Sequence, residues 1–370
     1  MMRKKMRIVI LGTRGIPANY GGFETFVEEL SKRLVKNGHS VTVYARKGLN
    51  KFDTFFYEGV KVIVLPTIRH KYLDTVVHTF FSVFHAIFTK ADIMFFCNSI
   101  NSIFMAMPRI FGKKCIINVG GLEWKRKKWG FFGRFAYKVS ELLSIQFSNA
   151  VVTDSKVLKA YYKGKFNINT NYISYGANKR INFEDDDGLL NKFGLIGKRY
   201  MLYVSRLEPE NNAHIVIKAY EKVNTEIPLV IAGDAPYAKK YISQLHNTRD
   251  SRIKFLGRIS KNECNVLLSN SYLYIHGNEV GGTNPALLQA MACGNCVLVN
   301  GVNFNIEVIG DAGIWFEQNN IIDLKNKIEF LLKSPEVADR YRLLARERVE
   351  RYYNWGDVAN SYEELFYSFL

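Results

Sequence analysis

The stretch RYMLYVSRLEPENNAHIVIKAYEKV, residues 199–223, joins an apolar strand to an amphipathic helix through a polar loop. The apolar run at 199–206 predicts a buried strand, and the spacing of apolar residues in AHIVIKAYEKV predicts a helix. A short strand of this kind needs cover on both faces, which is typical of a parallel sheet flanked by helices. The stretch therefore predicts the opening unit of an α/β domain.

The same alternation extends along the chain as two series of strand–helix units. The first begins at Arg7–Gly12, and the second begins at 199–206. Between them, FEDDDGLLNKFGLIGK (183–198) is polar and contains glycine, which marks a boundary. We predict two Rossmann-like α/β domains over residues 1–183 and 184–353, followed by a C-terminal helix over 354–370. Ligands of such sheets bind beyond the carboxyl ends of the strands.

Positive charge is concentrated in the first half of the chain. The net charge of +17 comes from 51 Lys and Arg against 34 Asp and Glu. Residues 1–180 hold 30 basic and 10 acidic side chains, whereas residues 181–370 hold 21 and 24. Such a field attracts nucleic acid, anionic lipid or phosphorylated substrates, and a plain solvated surface is the alternative.

The cysteines and the apolar runs indicate a cytoplasmic protein. Five cysteines, an odd number, argue against a disulfide framework. Cys293 and Cys296 have C-x-x-C spacing without a second pair for zinc, so we expect them to be buried. The apolar run after MMRKKM is too short for a secretory signal. The apolar stretch at 76–88 is too short to span a bilayer.

The first candidate site is the loop GTRGIPANYGGFET, residues 12–25, between the first strand and the first helix. Gly15, Gly21 and Gly22 free the backbone for close approach, and the following helix N-terminus favours an anion. The loop matches neither G-x-G-x-x-G nor a P-loop. It is a weak phosphate signal by itself, and a tight loop without a ligand is the alternative.

The second and third candidate sites follow two strands of the second series. In HGNEVGGTNPALLQAMACG (276–294), Asn is a good N-cap and the following Pro suits the first helical position. The amides of that helix N-terminus suit a diphosphate, and Gln289 lies one turn further on. In SRLEPENN (205–212), the guanidinium of Arg206 can grip phosphate oxygens. The alternative is a surface arginine paired with Glu208 or Glu210.

Taken together, these motifs resemble the GT-B glycosyltransferases of family 4. The resemblance rests on SRLEPENN, AGDA, FLGRIS, GGTNPALLQAMACGNCVLV and IEVIGDAGIWF. The opening ILGTRGIPANYGGFETFVEEL, with GLEWKRKKW at 121–129, resembles a bacterial branch associated with rhamnosyl transfer in surface polysaccharide synthesis. The resemblance implies an N-terminal acceptor domain and a C-terminal nucleotide-sugar donor domain facing each other across a cleft. It also implies that the C-terminal helix packs back on the N-terminal domain.

Position by position, the resemblance implies that Arg206 is the catalytic, diphosphate-binding arginine. The lysine that often follows it falls on Asn211, and the E-x7-E pair of the family falls on Gly281 and Gln289. Glu279 is the nearest acid to the first Glu position, two residues out of register. The expected donor-binding set is Gly15, Gly21, Gly22, Asn211, Glu279, Gly281, Gly282, Thr283, Asn284 and Gln289.

Three positions carry neutral residues where the family has acids, namely Gly120, Asn178 and Gln289. Retaining enzymes of this fold are thought to need no protein nucleophile, because the donor's own phosphate oxygen can take the acceptor proton. The protein then supplies positioning and stabilises the leaving diphosphate. Asn98, at the end of the strand DIMFFCN, is expected to contact the donor sugar, and we count it with Arg206 as catalytic.

No metal and no cofactor is expected beyond the nucleotide-sugar co-substrate. EDDDG (184–188) contains Asp-x-Asp, but it lies between the two series, and we interpret it as a solvated acidic loop. The sequence contains no His/Cys cluster of metal-ligand spacing.

The stretch EWKRKKWGFFGRFAYK, residues 123–138, mixes basic and aromatic residues. This mixture suits an interfacial membrane contact or single-stranded nucleic acid, and an amphipathic core helix with a charged outer face is the alternative. The family resemblance favours the membrane, because acceptors in this class are often lipid-linked glycans. We therefore expect a lipid-linked oligosaccharide acceptor and the anionic inner face of the cell membrane as partners, and no nucleic acid. Glu123, Trp124, Lys125 and Arg126 are expected on that side.

Three functional hypotheses follow. The first is a retaining, metal-independent transferase that moves a deoxyhexose such as rhamnose onto a lipid-linked glycan. The second is an inactive relative that binds a nucleotide or a partner protein. The third is a nucleotide-sugar epimerase, for which the seven His offer few candidates for base chemistry. A nicotinamide dehydrogenase is less well supported, because no G-x-G-x-x-G is present.

Overall fold

A computed structural model describes residues 4–18, 21–47, 54–68, 70, 73–178 and 187–370. The chain divides into two compact units. The first consists of Met1–Lys125, Trp129–Tyr175 and Trp355–Leu370, and the second consists of Arg126–Lys128 and Gly176–Asn354. The predicted boundary between residues 183 and 184, and most of the EDDDG stretch, lie outside the described residues.

The first unit contains an eight-stranded sheet in the order β3-β4-β2-β1-β5-β6-β7-β8. All neighbouring strands pair in parallel except β3 and β4. The strands are β1 Arg7–Leu11, β2 Ser40–Arg46, β3 Thr54–Tyr57, β4 Val60–Leu65, β5 Ile93–Cys97, β6 Lys114–Asn118, β7 Ala150–Thr153 and β8 Asn171–Tyr172. The helices between them are α1 Gly22–Lys36, α2 Leu73–Ile87, α3 Ala106–Ile110, α4 Phe131–Phe147 and α5 Lys156–Phe166, with 3-10 turns at Ser99–Phe104 and Glu123–Lys125.

The second unit contains a six-stranded, fully parallel sheet in the order β11-β10-β9-β12-β13-β14. Its strands are β9 Met201–Val204, β10 Leu229–Ala232, β11 Ile253–Gly257, β12 Leu273–His276, β13 Cys296–Asn300 and β14 Ile314–Phe316. Its helices are α6 Asp187–Lys192, α7 Ala213–Tyr220, α8 Lys239–Leu245, α9 Lys261–Asn270, α10 Pro285–Ala292, α11 Asn303–Ile309, α12 Ile321–Lys333 and α13 Pro335–Tyr352, with a 3-10 turn at Pro209–Asn211.

Both sheets are doubly wound, which confirms the predicted Rossmann-like fold. Numbered from its own first strand, the second sheet has the order 3-2-1-4-5-6 of dinucleotide-binding proteins. The central strands β5, β12 and β13 are buried along their whole length, because helices cover both faces of a parallel sheet. The strand order reverses between β1 and β5 in the first unit and between β9 and β12 in the second.

The last helix, α14 (Trp355–Tyr367), belongs to the first unit although the second unit precedes it in the chain. Its aromatic residues pack on α1: the rings of Phe26 and Tyr362 lie 5.4 Å apart, and Arg33 lies 5.4 Å from the ring of Trp355. Asn118 Nδ2 donates to the hydroxyl of Tyr362 at 2.9 Å. The predicted return of the C-terminal helix to the N-terminal domain is therefore confirmed.

Sequence reasoning missed the hairpin that forms the outer edge of the first sheet. Strand β3 pairs antiparallel with β4, with Tyr57 opposite Val60. The two turn residues Glu58 and Gly59 both have positive φ, 50° and 78°, as a tight hairpin turn requires. The available signal was the Glu-Gly pair between two apolar runs.

Candidate functional site

The loops that follow β9 and β12 lie side by side at the carboxyl edge of the second sheet, because these two strands are neighbours and parallel. They contain residues 205–212 and 277–284, the second and third sites predicted from the sequence. The strand order reverses between the same two strands, and ligands of open α/β sheets bind at such a point. The topology thus brings two separately predicted motifs to one place.

Three asparagines, Asn212, Asn300 and Asn319, tie the strand ends together at this edge. Asn212 Nδ2 donates to the carbonyl of Gly277 at 3.0 Å and to Asn319 Oδ1 at 2.9 Å. Asn300, the last residue of β13, donates to the same two acceptors at 3.0 and 2.9 Å. The backbone N–H of Asn319 donates to Asn300 Oδ1 at 3.0 Å. Because Asn212 and Asn300 are buried, these bonds are costly to break, and they fix the shape of the edge.

This asparagine cluster also holds the carboxylate of Glu279. Asn319 Nδ2 donates to Glu279 Oε2 at 2.9 Å, and Lys127 Nζ lies 2.6 Å from Glu279 Oε1. Burial opposes ionisation of Glu279, but the bonds from Lys127 and Asn319 outweigh it and hold the pKa of this carboxyl below its ordinary value. Glu279 is therefore an oriented anion beside the predicted donor site, and its remaining lone pairs can accept hydroxyl hydrogens.

Arg206 is partly exposed immediately after β9, and its nearest acid is Glu208, with Arg206 Nη2 3.8 Å from Glu208 Oε2. That separation exceeds hydrogen-bonding distance, so the pairing with Glu208 is loose. Lys128 Nζ approaches the other oxygen of Glu208 at 3.4 Å. Burial opposes ionisation of Glu208, but Arg206 and Lys128 outweigh it and keep its pKa below the ordinary value. Several cations therefore surround one carboxylate at this edge.

Asn211 is turned inwards from this edge. Its side-chain amide donates to the carbonyl of Arg206 at 2.7 Å, and its own carbonyl accepts from the hydroxyl of Tyr203 at 2.6 Å. Asn211 is buried, so in this structure it braces the loop that carries Arg206. These bonds give Asn211 a positioning role for the loop, and its direct contact with the donor stays a prediction.

Helix α10 begins as predicted. Asn284 is its N-cap and accepts from the backbone N–H of Ala286 at 2.9 Å, with Pro285 at the first helical position. Thr283 is buried, whereas the space that a Cβ at Gly281 would occupy is open. Gln289 is half-buried and donates to Cys293 Sγ at 3.5 Å. The N-terminal amides of α10 and the open Gly281–Gly282 backbone are the elements that suit a diphosphate.

At the corresponding edge of the first unit, after β1, backbone amides of the loop already donate to side chains of the same unit. The backbone N–H of Arg14 donates to Glu24 Oε1 at 3.1 Å, and that of Ala18 donates to Glu28 Oε2 at 2.6 Å. Gly21 caps α1 without a side-chain bond, and Gly22 is its first residue. Carboxylates of α1 thus take two amides of the loop that we expected to face a phosphate. Sequence reasoning missed these two acids in GGFETFVEEL.

Close packing against β2 explains why residue 15 is a glycine. It is buried with a φ of +100°, and a Cβ there would lie 2.6 Å from the Cα of Ala45 on β2. The missing side chain therefore makes room for β2, and the approach of a donor to the Gly15 backbone stays a prediction.

Asn98 follows β5, next to β1, and has a positive φ of 73°. Its side chain accepts from the backbone N–H of Ile100 at 3.2 Å, which caps the 3-10 turn. Non-glycine residues rarely adopt this backbone conformation, and the contact of Asn98 with the donor sugar stays a prediction. Asn178 is half-buried and is the last described residue before the gap at 179–186.

Position 120, where the family resemblance implies an aspartate, has no room for a side chain. It has a φ of +65°, and a Cβ would lie 2.8 Å from the ring of Phe23. Its N–H donates to Asn118 Oδ1 at 2.9 Å. The glycine therefore fits a left-handed conformation against an aromatic ring, and an aspartate would strain both.

Only part of the basic stretch after Glu123 and Trp124 lies inside the protein, and this corrects the predicted membrane side for Arg126. Arg126 is buried, with Nη1 3.6 Å from Glu210 Oε1, and it cannot reach a membrane surface. Trp124 is half-buried and donates through Nε1 to Glu141 Oε1 at 2.9 Å. Glu123 is also half-buried, so of the four predicted residues Lys125 alone is exposed.

Glu210 is the most enclosed acid at this edge. It is fully buried, and within the described chain neither of its carboxylate oxygens has a hydrogen-bond partner. Burial raises the pKa of Glu210 above its ordinary value, and the neighbouring Glu208 adds to that effect. The backbone of Glu210 is fixed as well, since its carbonyl accepts from the N–H of Glu279 at 3.0 Å.

Neither a metal cluster nor a membrane-spanning helix is found in the part of the chain that the structure describes. No group of three or more His, Cys, Asp or Glu side chains there has the arrangement of a metal site. No helix there is both long and apolar enough to cross a bilayer. Cys293 and Cys296 are buried free thiols, as predicted.

Comparison with known proteins agrees with this geometry. Residues 190–348 match the family described as glycosyl transferases group 1, and residues 5–178 match a domain of unknown function, DUF1972. An uncharacterized glycosyltransferase of Methanocaldococcus jannaschii is 24% identical over 390 residues and covers 98% of each chain. The chain is a glycosyltransferase of the GT-B type.

Two further relatives give this glycosyltransferase a context. The O-antigen chain mannosyltransferase B of Escherichia coli is 27% identical over 139 residues, 36% of each chain. The crystal structure of Anabaena HepE in complex with UDP and glucose superposes with a TM-score of 0.79 at 18% identity, over 98% of this chain and 100% of that chain. The structural likeness establishes the fold, and the matched family places the group 1 region over the second unit.

Proposed function

We propose that this glycosyltransferase is a retaining enzyme that transfers a deoxyhexose such as rhamnose from a nucleotide diphosphate to a lipid-linked glycan. The proposal places it in bacterial surface polysaccharide synthesis, on the cytoplasmic face of the membrane. The observation that supports the donor half is the placement of Arg206 and the N-terminus of α10 in loops that follow two neighbouring strands, where the strand order of the second sheet reverses. The mannosyltransferase of O-antigen chains among the relatives supports the polysaccharide context.

In the proposed reaction, the bond between the anomeric carbon and the donor phosphate oxygen breaks, and the acceptor oxygen bonds to the anomeric carbon from the same face. The acceptor proton passes to the leaving phosphate oxygen. The guanidinium of Arg206 and the amides of α10 stabilise the charge that develops on the diphosphate. Glu279, held by Asn319 and Lys127, orients the donor sugar through its hydroxyls, and Asn98 is the candidate contact from the first unit. No metal is required in this scheme.

A screen of UDP, dTDP and GDP by thermal unfolding tests the donor half. We expect one of them to stabilise the protein, by about 2.7 kcal/mol at a hundredfold excess over its Kd. HepE was crystallised with UDP, which makes UDP the first nucleotide to try. Nucleotide release from the matching nucleotide sugars, with and without an extracted lipid-linked acceptor, tests transfer. Silence of every nucleotide in both assays would contradict the proposal.

The second candidate function is nucleotide binding without transfer, and the neutral residues at Gly120 and Gln289 favour it. Gln289→Glu separates the two candidates, because this position is half-buried on a helix surface and can carry the acid. Gly120→Asp is a poor test, since Phe23 fills the space. Turnover by the native protein, unchanged or raised in the Gln289→Glu variant, would exclude the second candidate. Nucleotide binding with no turnover in either protein would support it.

A further inference from the structure

Helix α2 is apolar on two sides: Val83, Ala86 and Ile87 are buried, and large aromatic side chains are exposed on the opposite side. Its inward face includes the buried polar residues His78, Thr79 and Ser82. Thr79 donates to Asn101 Oδ1 at 2.7 Å, and Ser82 donates to the carbonyl of His78 at 2.7 Å, so these polar groups are bonded inside the unit. Its outward face, by contrast, exposes Phe80, Phe81 and Phe84, and Phe88 follows directly after the helix. A helix apolar on its outer side needs a second apolar neighbour.

The apolar surface continues from α2 onto the elements beside it in the first unit. The ring of Phe80 lies 6.3 Å from that of Phe104 in the 3-10 turn. Ile103 in the same turn and Ile110 at the end of α3 are 57% and 83% exposed. This 3-10 turn packs in turn on α4, where Ser102 donates to the carbonyl of Ser140 at 2.8 Å. Large exposed apolar patches of this kind mark interaction sites.

The start of α4 adds two more exposed rings. Phe131 and Phe132 are 79% and 84% exposed, and their rings lie 5.7 Å apart. We call Phe80, Phe81, Phe84 and Phe88 the phenylalanine face, and Phe131 and Phe132 are a further exposed pair of the same unit.

Basic side chains accompany the phenylalanine face. The exposed ones are Lys90, Arg109, Lys125, Arg134 and Lys138. Residues 75–140 include only two acids, Asp92 and Glu123. Asp92 is neutralised by Arg7, with Arg7 Nη2 2.6 Å from Asp92 Oδ1, and Glu123 is half-buried. The three basic residues at 126–128 are excluded from this count, because they pair with acids of the second unit.

We infer that the phenylalanine face docks on an anionic lipid bilayer, with α2 lying flat in the interface. Aromatic rings insert at the boundary between headgroups and acyl chains, and the surrounding lysines and arginines meet anionic headgroups. A second copy of this chain is a poorer occupant, since two faces that are both basic would repel each other. The inference gives the lipid partner of the proposed function a defined surface, and it requires no turnover to be tested.

The test is sedimentation of the full chain with vesicles of phosphatidylcholine alone, and with vesicles that contain phosphatidylglycerol in addition. We expect binding to the mixed vesicles, weakened by added salt, and little binding to phosphatidylcholine alone. Phe84→Ser combined with Phe88→Ser is expected to lower the vesicle affinity by at least about tenfold, because two exposed rings no longer enter the interface. Both positions are exposed, so the variant should unfold at nearly the temperature of the native protein.

The matched control is Phe330→Ser, which removes an exposed ring from α12 of the second unit and should leave vesicle binding unchanged. Equal binding to both kinds of vesicle, or full binding by the Phe84/Phe88 variant, would overturn the inference. Two other results would also overturn the inference. The Phe84/Phe88 variant would keep its vesicle binding but lose a concentration-dependent self-association of the native protein, or it would lose binding of single-stranded nucleic acid. Nucleotide stabilisation of the variant, measured without lipid, should equal that of the native protein. A failure of docking is therefore distinguishable from a failure of the proposed donor site.

Discussion

The two sheets present the same kind of edge but treat it differently. Each has a loop and a helix after its first strand, next to the point where the strand order reverses. In the first unit, carboxylates of α1 bond the amides of this loop, and Gly15 is packed against Ala45. In the second unit, two asparagines bond the carbonyl of Gly277, and the cited bonds use neither Arg206 nor the amides at the start of α10. The two sheet edges have the same topology, but in the first unit the loop amides that could bind an anion already donate to carboxylates of the protein.

The largest expected effect comes from the arginine that follows the first strand of each sheet. Arg206→Ala should reduce turnover about a hundredfold or more, since it removes a cation from the leaving diphosphate, an effect of about 3 kcal/mol on the barrier. Arg14→Ala, at the matching position of the first unit, should reduce it by less than about tenfold. Initial rates of nucleotide release measure both. Equal losses would mean that both edges handle the diphosphate.

The next effect separates a glycine needed for packing from one that leaves room for a ligand. Gly15→Ala should destabilise the protein by about 2 to 4 kcal/mol, because its Cβ would meet β2 and its φ is positive. Gly281→Ala should change stability by less than about 0.5 kcal/mol, because the space around it is open. Denaturant titration gives both values. A stable Gly15→Ala variant would contradict the packing explanation.

The same pair of variants has a second readout in nucleotide affinity. Gly281→Ala should weaken the nucleotide that stabilises the native protein, because the added methyl group stands where the backbone is proposed to approach the diphosphate. Calorimetry with that nucleotide measures the change. Unchanged affinity together with unchanged stability would remove Gly281 from the donor site.

The sequence predicted the central buried strands, the two series of strand–helix units and the cap of α10, because these depend on local apolar spacing and on Asn-Pro at a helix start; it missed the edge strand β3. It did not predict the asparagine cluster, since Asn212, Asn300 and Asn319 meet only through the sheet. Nor did it separate Lys125, which is exposed, from Arg126, which is buried against Glu210. Neighbouring basic residues look alike in sequence, and only the fold distinguishes them.

Substitution of one buried asparagine in each unit compares how much the hydrogen bonds at each sheet edge contribute to stability and to nucleotide binding. Asn300→Leu leaves the backbone N–H of Asn319 without its acceptor, and Asn101→Leu leaves the carbonyl of Cys97 without its 2.6 Å donor. Each should cost about 1 to 3 kcal/mol of unfolding free energy. We expect Asn300→Leu to weaken nucleotide binding as well, because Asn319 then no longer fixes Glu279. Loss of nucleotide binding in the Asn101 variant alone would mean that the edge of the first unit, and not that of the second, shapes the nucleotide site.

The smallest effect is a dependence of stability on pH that both units share. Burial lowers the pKa of His276 to about 3, and burial together with the charge of Arg46 lowers the pKa of His78 to about 4. Each imidazole is therefore neutral in the folded protein, whereas the unfolded chain takes up protons near pH 6.5. The contribution of each neutral histidine to the unfolding free energy is fully present above that pH and declines as the pH falls towards 4, by about 1.4 kcal/mol per histidine at pH 5.5.

His78→Leu and His276→Leu should each flatten the decline of the unfolding free energy between pH 6.5 and 5. Denaturant titrations of the native protein and of both variants at several pH values measure this slope. A slope that neither core variant alters would mean that carboxyl groups, rather than these two buried rings, govern the acid sensitivity of both units.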